Sequence, residues 1–402
     1  MAKTAIIGGG AAGFFLAVCL GEMVPGMDIT ILEGSRRVLA KVKVSGGGRC
    51  NCTNSFAHVT DLAAVYPRGH RLLKRLFKLF GPQDAYRWFE QHGVRLVTQD
   101  DGCVFPASQD SQTIINCLLR EARRHRTDIR TGVRINTLKD LDGYDFVAVC
   151  TGGSPRAEAF RWLADAGHEI VPPVPSLFSL SIKEPPFCNL MGLVVEEASA
   201  MIPGTKLRAN GPLLITHWGA SGPAILKLSS YAARHLNEND YKVPLSINWT
   251  GRKEDEVIGI LQDIKQTYPQ RQLPSMRPCG LPARLWEYLL RGNQNRWGSL
   301  SQKDINRLAN TLTNDIYQTS GRAPFRDEFV TCGGVALGNV APATLESRQR
   351  HNLFFAGEVL DIDGITGGFN FQAAWTTAYA VAAAIKGKCE SEKAATKPSA
   401  QL

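Results

Sequence analysis

The spacing of apolar and polar positions changes several times along the chain. Residues 3–7 (Lys-Thr-Ala-Ile-Ile) are a short apolar run that reads as a buried strand. Phe14 to Leu20 read as an apolar helix, and the run from Asp28 to Leu32 as a second strand, so residues 1–40 predict a β-α-β unit. Residues 41–54, rich in Gly, Ser and Asn, predict a loop. Residues 70–92 predict two helices broken at Gly81-Pro82, with Leu72, Leu73, Leu76, Phe77 and Phe80 on one helical face. Asp101-Gly102 is a strong turn dipeptide, so 94–106 predicts a hairpin. A helix over 111–126, a strand over 129–136 and a fully buried strand over 145–150 follow.

The texture changes after Pro172, Pro173 and Pro175. From about 188 to 250 the segments are short, alternating and turn-rich, which predicts a small antiparallel barrel or sheet. From about 253 to 320 the pattern is helical. Strands return after 329, with Phe354-Phe355-Ala356-Gly357-Glu358 ending in a turn, and Phe371 to Ile385 forms an Ala-rich helix. The expected fold class is α/β: a Rossmann-like domain over 1–188 and 336–388, interrupted by an insertion over 189–335. Within the insertion a β-barrel part is expected at about 189–250 and 323–335, and a helical part at about 251–322. Residues 389–402, within a Lys-, Glu-, Ser- and Ala-rich stretch, are expected to be a disordered tail.

Gly8, Gly10 and Gly13 lie between the first strand and the first helix in the spacing G-x-G-x-x-G. Gly8 permits the tight turn, Gly10 lets a pyrophosphate approach the backbone, and Gly13 lets helix and strand pack closely. The unpaired N–H groups at the helix start favour an anion. Glu33 stands twenty residues after Gly13, at the end of the second strand, where a carboxylate takes ribose hydroxyls. This set predicts a bound dinucleotide.

Composition narrows the setting. The chain has 402 residues, with 44% hydrophobic and 21% charged, enough for a sizeable core and two or three domains. The first strand begins almost at Met1, which leaves no room for a signal peptide, and no apolar run is long enough to span a bilayer. The ten cysteines are scattered, with one C-x-C (Cys50, Cys52), and read as reduced cytoplasmic thiols. The histidines have no metal spacing, so no metal site is expected. Net charge is +9. Arg68, Arg71, Lys74, Arg75 and Lys78 share a segment with the apolar face named above, as a solvated helix side rather than a nucleic-acid stripe. The partner expected is therefore a small molecule, not a nucleic acid or a membrane. The sequence leaves the oligomeric state open.

Three further signals turn a dinucleotide into FAD. The strand Val147-Ala-Val-Cys150 ends in Thr151-Gly152-Gly153, whose small residues let a strand end lie against a cofactor. Leu353-Phe-Phe-Ala-Gly357-Glu358 resembles the flavoprotein strand that ends in Gly-Asp, here with an acid one methylene longer. Gly364-Ile-Thr-Gly367-Gly368-Phe-Asn370 precedes a helix whose N-terminal N–H groups stabilise negative charge on a reduced flavin ring. The loop Lys41 to Asn54 is not a Walker loop; its glycines free backbone donors, and Arg49 suits a phosphate.

Ser45-Gly-Gly-Gly-Arg-Cys-Asn-Cys-Thr-Asn54, Leu214-Ile-Thr-His-Trp-Gly-Ala-Ser-Gly-Pro223 and Phe355 to Asn370 resemble the signatures of the BaiN-like, aminoacetone-oxidase-type NAD(P)/FAD-dependent flavoproteins. The resemblance covers nearly the whole chain. It implies an FAD domain interrupted by an insertion with barrel and helical parts, and reductase chemistry, with double-bond reduction of oxo-steroids in one branch. It implies cofactor contacts at Ala11 and Ala12 beside the fingerprint glycines, and at Lys41, Ser45, Gly46, Gly47, Arg49, Cys50 and Asn51 in the loop. It extends them to Val133, to Thr151, Gly152 and Gly153, and to Gly357, Glu358, Asp363, Gly367, Gly368 and Asn370. NAD(P)H is expected as a transient electron donor, since only one Rossmann fingerprint is present. Cys103 and Pro212 depart from the family pattern, which more often has a basic and an acidic residue there.

The expected activity is hydride transfer from NAD(P)H through flavin N5 to an activated double bond of a small or steroid-like substrate. The rival expectations are a flavin-dependent oxidase of small amines, and a flavin-binding protein acting on or beside RNA. No catalytic residue is assigned by the sequence. His217 reads first as part of a structural turn, and with Trp218 it is the candidate for a pocket wall supplied by the insertion.

Overall fold

The computed structural model describes residues 2–323 and 330–395. The chain divides into two compact units, Met1–Val174 with Val330–Leu402, and Pro175–Phe329.

The first unit is built on a five-stranded parallel sheet in the spatial order Leu353–Phe355, Phe146–Val149, Lys3–Ile7, Asp28–Glu33, Asp128–Thr131. Lys3 aligns with Asp28 and Thr4 with Phe146, so the first strand is central. The helix Ala11–Met23 carries an unbroken run of buried residues from Ala12 to Gly21, as a helix covered on all sides must. The long helix Phe369–Ala395 packs along it, and Phe15, Phe89 and Trp375 share one aromatic cluster. The predicted hairpin forms, with Leu96–Thr98 antiparallel to Cys103–Pro106 and Thr53–Asn54 added on its other edge.

The second unit is a closed barrel of six strands with a helical cap region in the same unit. Around the barrel run Val194–Met201, Arg208–Thr216, Gly219–Ser221, Leu180–Ile182, Asp315–Arg322 and Pro244–Asn248, which pairs back to Val194–Met201. Closure removes every unpaired strand edge. Between the strands lie the helices Glu254–Thr267, Ala283–Leu290 and Gln302–Thr313, whose core includes Leu261, Trp286, Trp297 and Ile305.

Several element boundaries differ from the sequence reading. The insertion starts at Pro175, not 189, because Leu180–Ile182 is a barrel strand only three residues long, too short for alternation to show. It ends at Phe329, because Val330–Val335 is a strand of the first unit, paired with Ile170–Ser176. The expected barrel segment 323–335 is thus displaced to Asp315–Arg322, and residues 324–329 lie outside the described residues. The strand expected over 129–136 closes at Thr131. Within the expected loop 41–54, Ala40–Val44 is a short helix, followed by one tight turn at Ser45–Gly48. Residues 389–395, expected as tail, continue the last helix; 396–402 lie outside the described residues.

Candidate functional site: a cradle made from both ends of the chain

At the carboxyl end of the first strand the backbone turns through Gly8, at φ +111°. A Cβ on Gly8 would sit 2.4 Å from the Cys150 carbonyl oxygen, so this turn and the end of strand Phe146–Val149 lie against one another. A Cβ on Gly13 would fall 2.0 Å from the Gly8 carbonyl oxygen, which is the close helix–strand approach that its position predicts. Gly10 differs from both: nothing lies within 4 Å of its would-be Cβ. Gly10 is also the cap of helix Ala11–Met23, with no side-chain bond to the helix start and no acid in its first turn. The helix therefore presents unsatisfied N–H groups to open space, and the fingerprint turn fits a pyrophosphate.

Glu33 stands at the end of its strand beside this turn. Its carboxylate accepts from the Gly9 N–H (2.7 Å) and from the Ser35 N–H (2.7 Å), which fixes its direction. The Val133 N–H donates to the Glu33 carbonyl at 2.9 Å, so Val133 is brought to the same corner. Ala11 and Ala12 open the helix, and a Cβ on Gly357 would meet Ala12 Cβ at 2.9 Å. The two ends of the chain thus converge at the helix start.

Glu358 is more tightly engaged than its sequence position suggests. It accepts from Lys41 Nζ (2.9 Å) and from the Thr331 N–H (2.8 Å). Thr331 was not singled out by sequence, because a backbone donor leaves no side-chain signature. Gly152 has φ +75°, and a Cβ on Gly153 would fall 2.7 Å from Glu358 Oε1, so Thr151-Gly152-Gly153 passes directly over the carboxylate.

The glycine loop forms the second half of the cradle. Gly46, Gly47, Gly48 and Cys50 all have positive φ. Gly46 needs it, since its would-be Cβ meets the Asn51 nitrogen at 2.8 Å, whereas Gly47 has open space around it. Ser45 caps the turn through its carbonyl, which accepts from the Cys50 N–H at 3.0 Å. Arg49 is exposed and lies over the Phe105 ring at 4.4 Å. The loop is clamped to the far end of the chain: Asn54 Nδ2 donates to the Gly367 carbonyl (2.9 Å) and Trp375 Nε1 to the Cys52 carbonyl (2.7 Å). A Cβ on Gly368 would lie 2.2 Å from the Thr53 carbonyl oxygen and 2.7 Å from Asn51 Oδ1. Asn370 closes the 364–370 loop, accepting from the Gly364 N–H and donating to the Gly364 carbonyl, both at 2.8 Å.

Two expectations are corrected. Asp363 does not offer its carboxylate to a ligand: it is fully buried and both oxygens accept from the Arg68 guanidinium. Arg68 accordingly leaves the solvated basic face; burial works against its charge, and Asp363 outweighs that and raises its pKa. Arg71, Lys74, Arg75 and Lys78 remain exposed. Burial pushes the Cys50 thiol pKa up to about 12, with a Ser45 bond only partly opposing, as befits the reduced thiol that the sequence predicts. Cys52 is raised by the same cause.

His217 and Trp218 belong to the second unit. They are the two-residue turn of the hairpin Arg208–Thr216/Gly219–Ser221, with Thr216 opposite Gly219 and the two rings edge to face at 4.0 Å. Among the described residues no group of three His, Cys, Asp or Glu is placed to hold a metal ion, and no helix is long and apolar enough to cross a membrane.

The family described as the HI0933-like protein Rossmann domain matches residues 2–384. A 3-dehydro-bile acid delta(4,6)-reductase of Clostridium scindens is 28% identical over 94% of this chain and 98% of its own. A ribosomal RNA dihydrouridine synthase of Escherichia coli is 29% identical over 94% of this chain and 96% of its own. The solved 3-ketosteroid delta1-dehydrogenase of Sterolibacterium denitrificans aligns over 96% of this chain and 100% of its own, at 11% identity and a TM-score of 0.48.

Proposed function

The chain belongs to the HI0933-like Rossmann-domain family, and from that premise we propose that this FAD-dependent oxidoreductase reduces a carbon–carbon double bond conjugated to a carbonyl group. The observation that carries the reading is a chemical agreement between relatives with unlike substrates. One is named for delta(4,6) reduction of a 3-dehydro bile acid, the other for making dihydrouridine, which is uridine with hydrogen added across C5=C6. Each bond is polarised by a conjugated carbonyl. When bound, the flavin supplies the hydride from N5, with NADH or NADPH as the source.

The chain's own residues bind and orient. The Gly8–Gly13 turn and the uncapped helix start take the pyrophosphate, and Glu33 the adenosine ribose. Lys41 and Glu358 hold each other, so that Thr151-Gly152-Gly153 and Gly357 present backbone to the cofactor. Ser45, Gly46, Gly47, Arg49, Asn51, Gly367, Gly368 and the start of helix Phe369–Ala395 surround the ring. In the test, anaerobic NADPH or NADH bleaches the flavin band, and a steroid enone or a uridine-bearing RNA restores it. A reduced protein that regains its colour only when oxygen is admitted overturns the reading in favour of an amine oxidase.

A second reading concerns the substrate class. The sequence sets nucleic acid aside, yet the Escherichia coli relative is named for ribosomal RNA and the chain carries a net charge of +9. RNA uridine is the substrate on this reading. Salt-dependent RNA retention by the purified protein supports it, and enone turnover with no RNA affinity refutes it.

A further inference from the structure

The second unit carries a cleft that the cofactor chemistry does not use. It measures about 960 Å3 and lies on the outside of the barrel, at the upper end of ligand-pocket volumes. Its floor is three neighbouring strands. Arg208 aligns with Met201 and Met201 with Ser246, while Asn210 aligns with Ser199 and Ser199 with Asn248. These two rows face outward, because the positions alternating with them, Ala200, Ala209 and Ile247, are buried in the barrel core.

Four cations rim the floor. Arg208 and Lys227 stand on one flank, where Lys227 Nζ lies over Gly211, and Arg252 and Lys253 follow strand Pro244–Asn248 on the other. None of the four has an ion-pair partner among the described residues, and all four line one cleft. Arg252 is held in place: its carbonyl accepts from Asn248 Nδ2 (2.8 Å) and its N–H donates to Thr250 Oγ1 (3.2 Å). The one acid in the lining is Glu254, in the first turn of helix Glu254–Thr267 with Asp255 and Glu256, so that helix end already has its negative charge.

We propose that this cleft is the docking groove for a single RNA strand, gripped through its phosphates. The inference rests on the RNA reading above and adds the surface on which the strand lies. Grouped, unpaired cations repel one another and are matched by an anionic occupant. The two cationic flanks are separated by two strand spacings, about 10 Å, so successive phosphates of a strand reach both and one phosphate does not. Ser199 and Asn210 on the floor offer hydrogen bonds, and Met201, 38% exposed, offers an apolar rest for a base face. With phosphate contacts dominant, binding is tolerant of base sequence.

The test titrates a fluorescent oligouridylate with the FAD-loaded protein across a salt series. Arg208→Gln/Arg252→Gln is compared with Lys74→Gln/Lys78→Gln, which removes the same charge from the exposed face of the first unit. FAD content and melting temperature report folding of both variants. The expected result is an affinity about tenfold lower for the groove variant alone, with its salt slope reduced by about 1.4 for two lost contacts to a single strand. Equal losses in both variants, or no loss in either, overturn the groove and leave the RNA reading standing. Absence of salt-dependent binding by the unmodified protein overturns both.

Discussion

The two units of this chain handle charge in opposite ways. Around the cofactor cradle Lys41 pairs with Glu358 and Arg68 with Asp363, Arg49 alone lies exposed over an aromatic ring, and the remaining donors are backbone N–H groups at glycines and helix starts. On the barrel exterior, Arg208, Lys227, Arg252 and Lys253 stand without an ion-pair partner among the described residues. The difference follows from what each surface holds. A cofactor that stays bound is best held by fixed dipoles that need no reorganisation. A long polyanion that comes and goes is gathered by flexible cations, whose hold depends on salt.

The contrast is tested most severely at Asp363. Asp363→Ala strands the mostly buried Arg68 guanidinium and is expected to cost about 3–5 kcal/mol of stability. Urea unfolding measures it, and a loss below about 1 kcal/mol would place this pair with ordinary surface ion pairs. Next comes a pair of glycine substitutions. Gly13→Ala drives a methyl into the Gly8 carbonyl, so about 1–3 kcal/mol and the FAD are expected to be lost together. Gly10→Ala meets nothing in the protein, so FAD is lost while the melting temperature of the apoprotein holds. If both variants keep their flavin, the pyrophosphate does not lie on this turn. Glu33→Ala is expected to weaken FAD retention by about 1–3 kcal/mol, read by dialysis against the free cofactor.

The smallest effect lies in the barrel. Asp315 is buried, and desolvation raises its pKa against the opposing bonds from Tyr317 and Trp249. A carboxyl raised on folding stabilises fully below its unfolded pKa, and that contribution is lost as pH rises through the folded pKa. Asp315→Asn keeps an acceptor for both donors and removes the titration. Its stability relative to the unmodified protein should therefore climb between pH 4 and neutrality. Parallel unfolding curves for the two proteins across that range would show that Asp315 is not desolvated as described.

The first unit was readable because its constraints are local. A Gly that must turn at positive φ, or accept a carbonyl at van der Waals distance, leaves its identity in the sequence, as Gly8, Gly13 and Gly368 do. Strand Asp315–Arg322 reads as helix in the sequence because its start is inverted: Asp315 is buried and Ile316 is 56% exposed. Alternation in hydropathy fails when a carboxylate is satisfied inside by Trp249 and Tyr317. The Arg68–Asp363 pair was equally hidden, since an arginine among other basic residues carries no mark of a partner 295 positions away. The barrel groove left no motif either, because its residues come from three strands, three helices and a turn.

The parallel sheet has a consequence for the order of synthesis. Strand Leu353–Phe355 pairs with Phe146–Val149, and the loop at 45–54 is clamped by Gly367 and Trp375. A ribosome delivers these partners only after the barrel, every strand of which has emerged by Arg322. The insertion can thus complete its core while the first unit still waits for an edge strand and for half of its cradle. A nascent chain cut short before the last helix would own the dinucleotide fingerprint and hold no flavin. Cofactor capture thereby waits until after the barrel has formed, and yellow colour becomes a report that the last helix has been made.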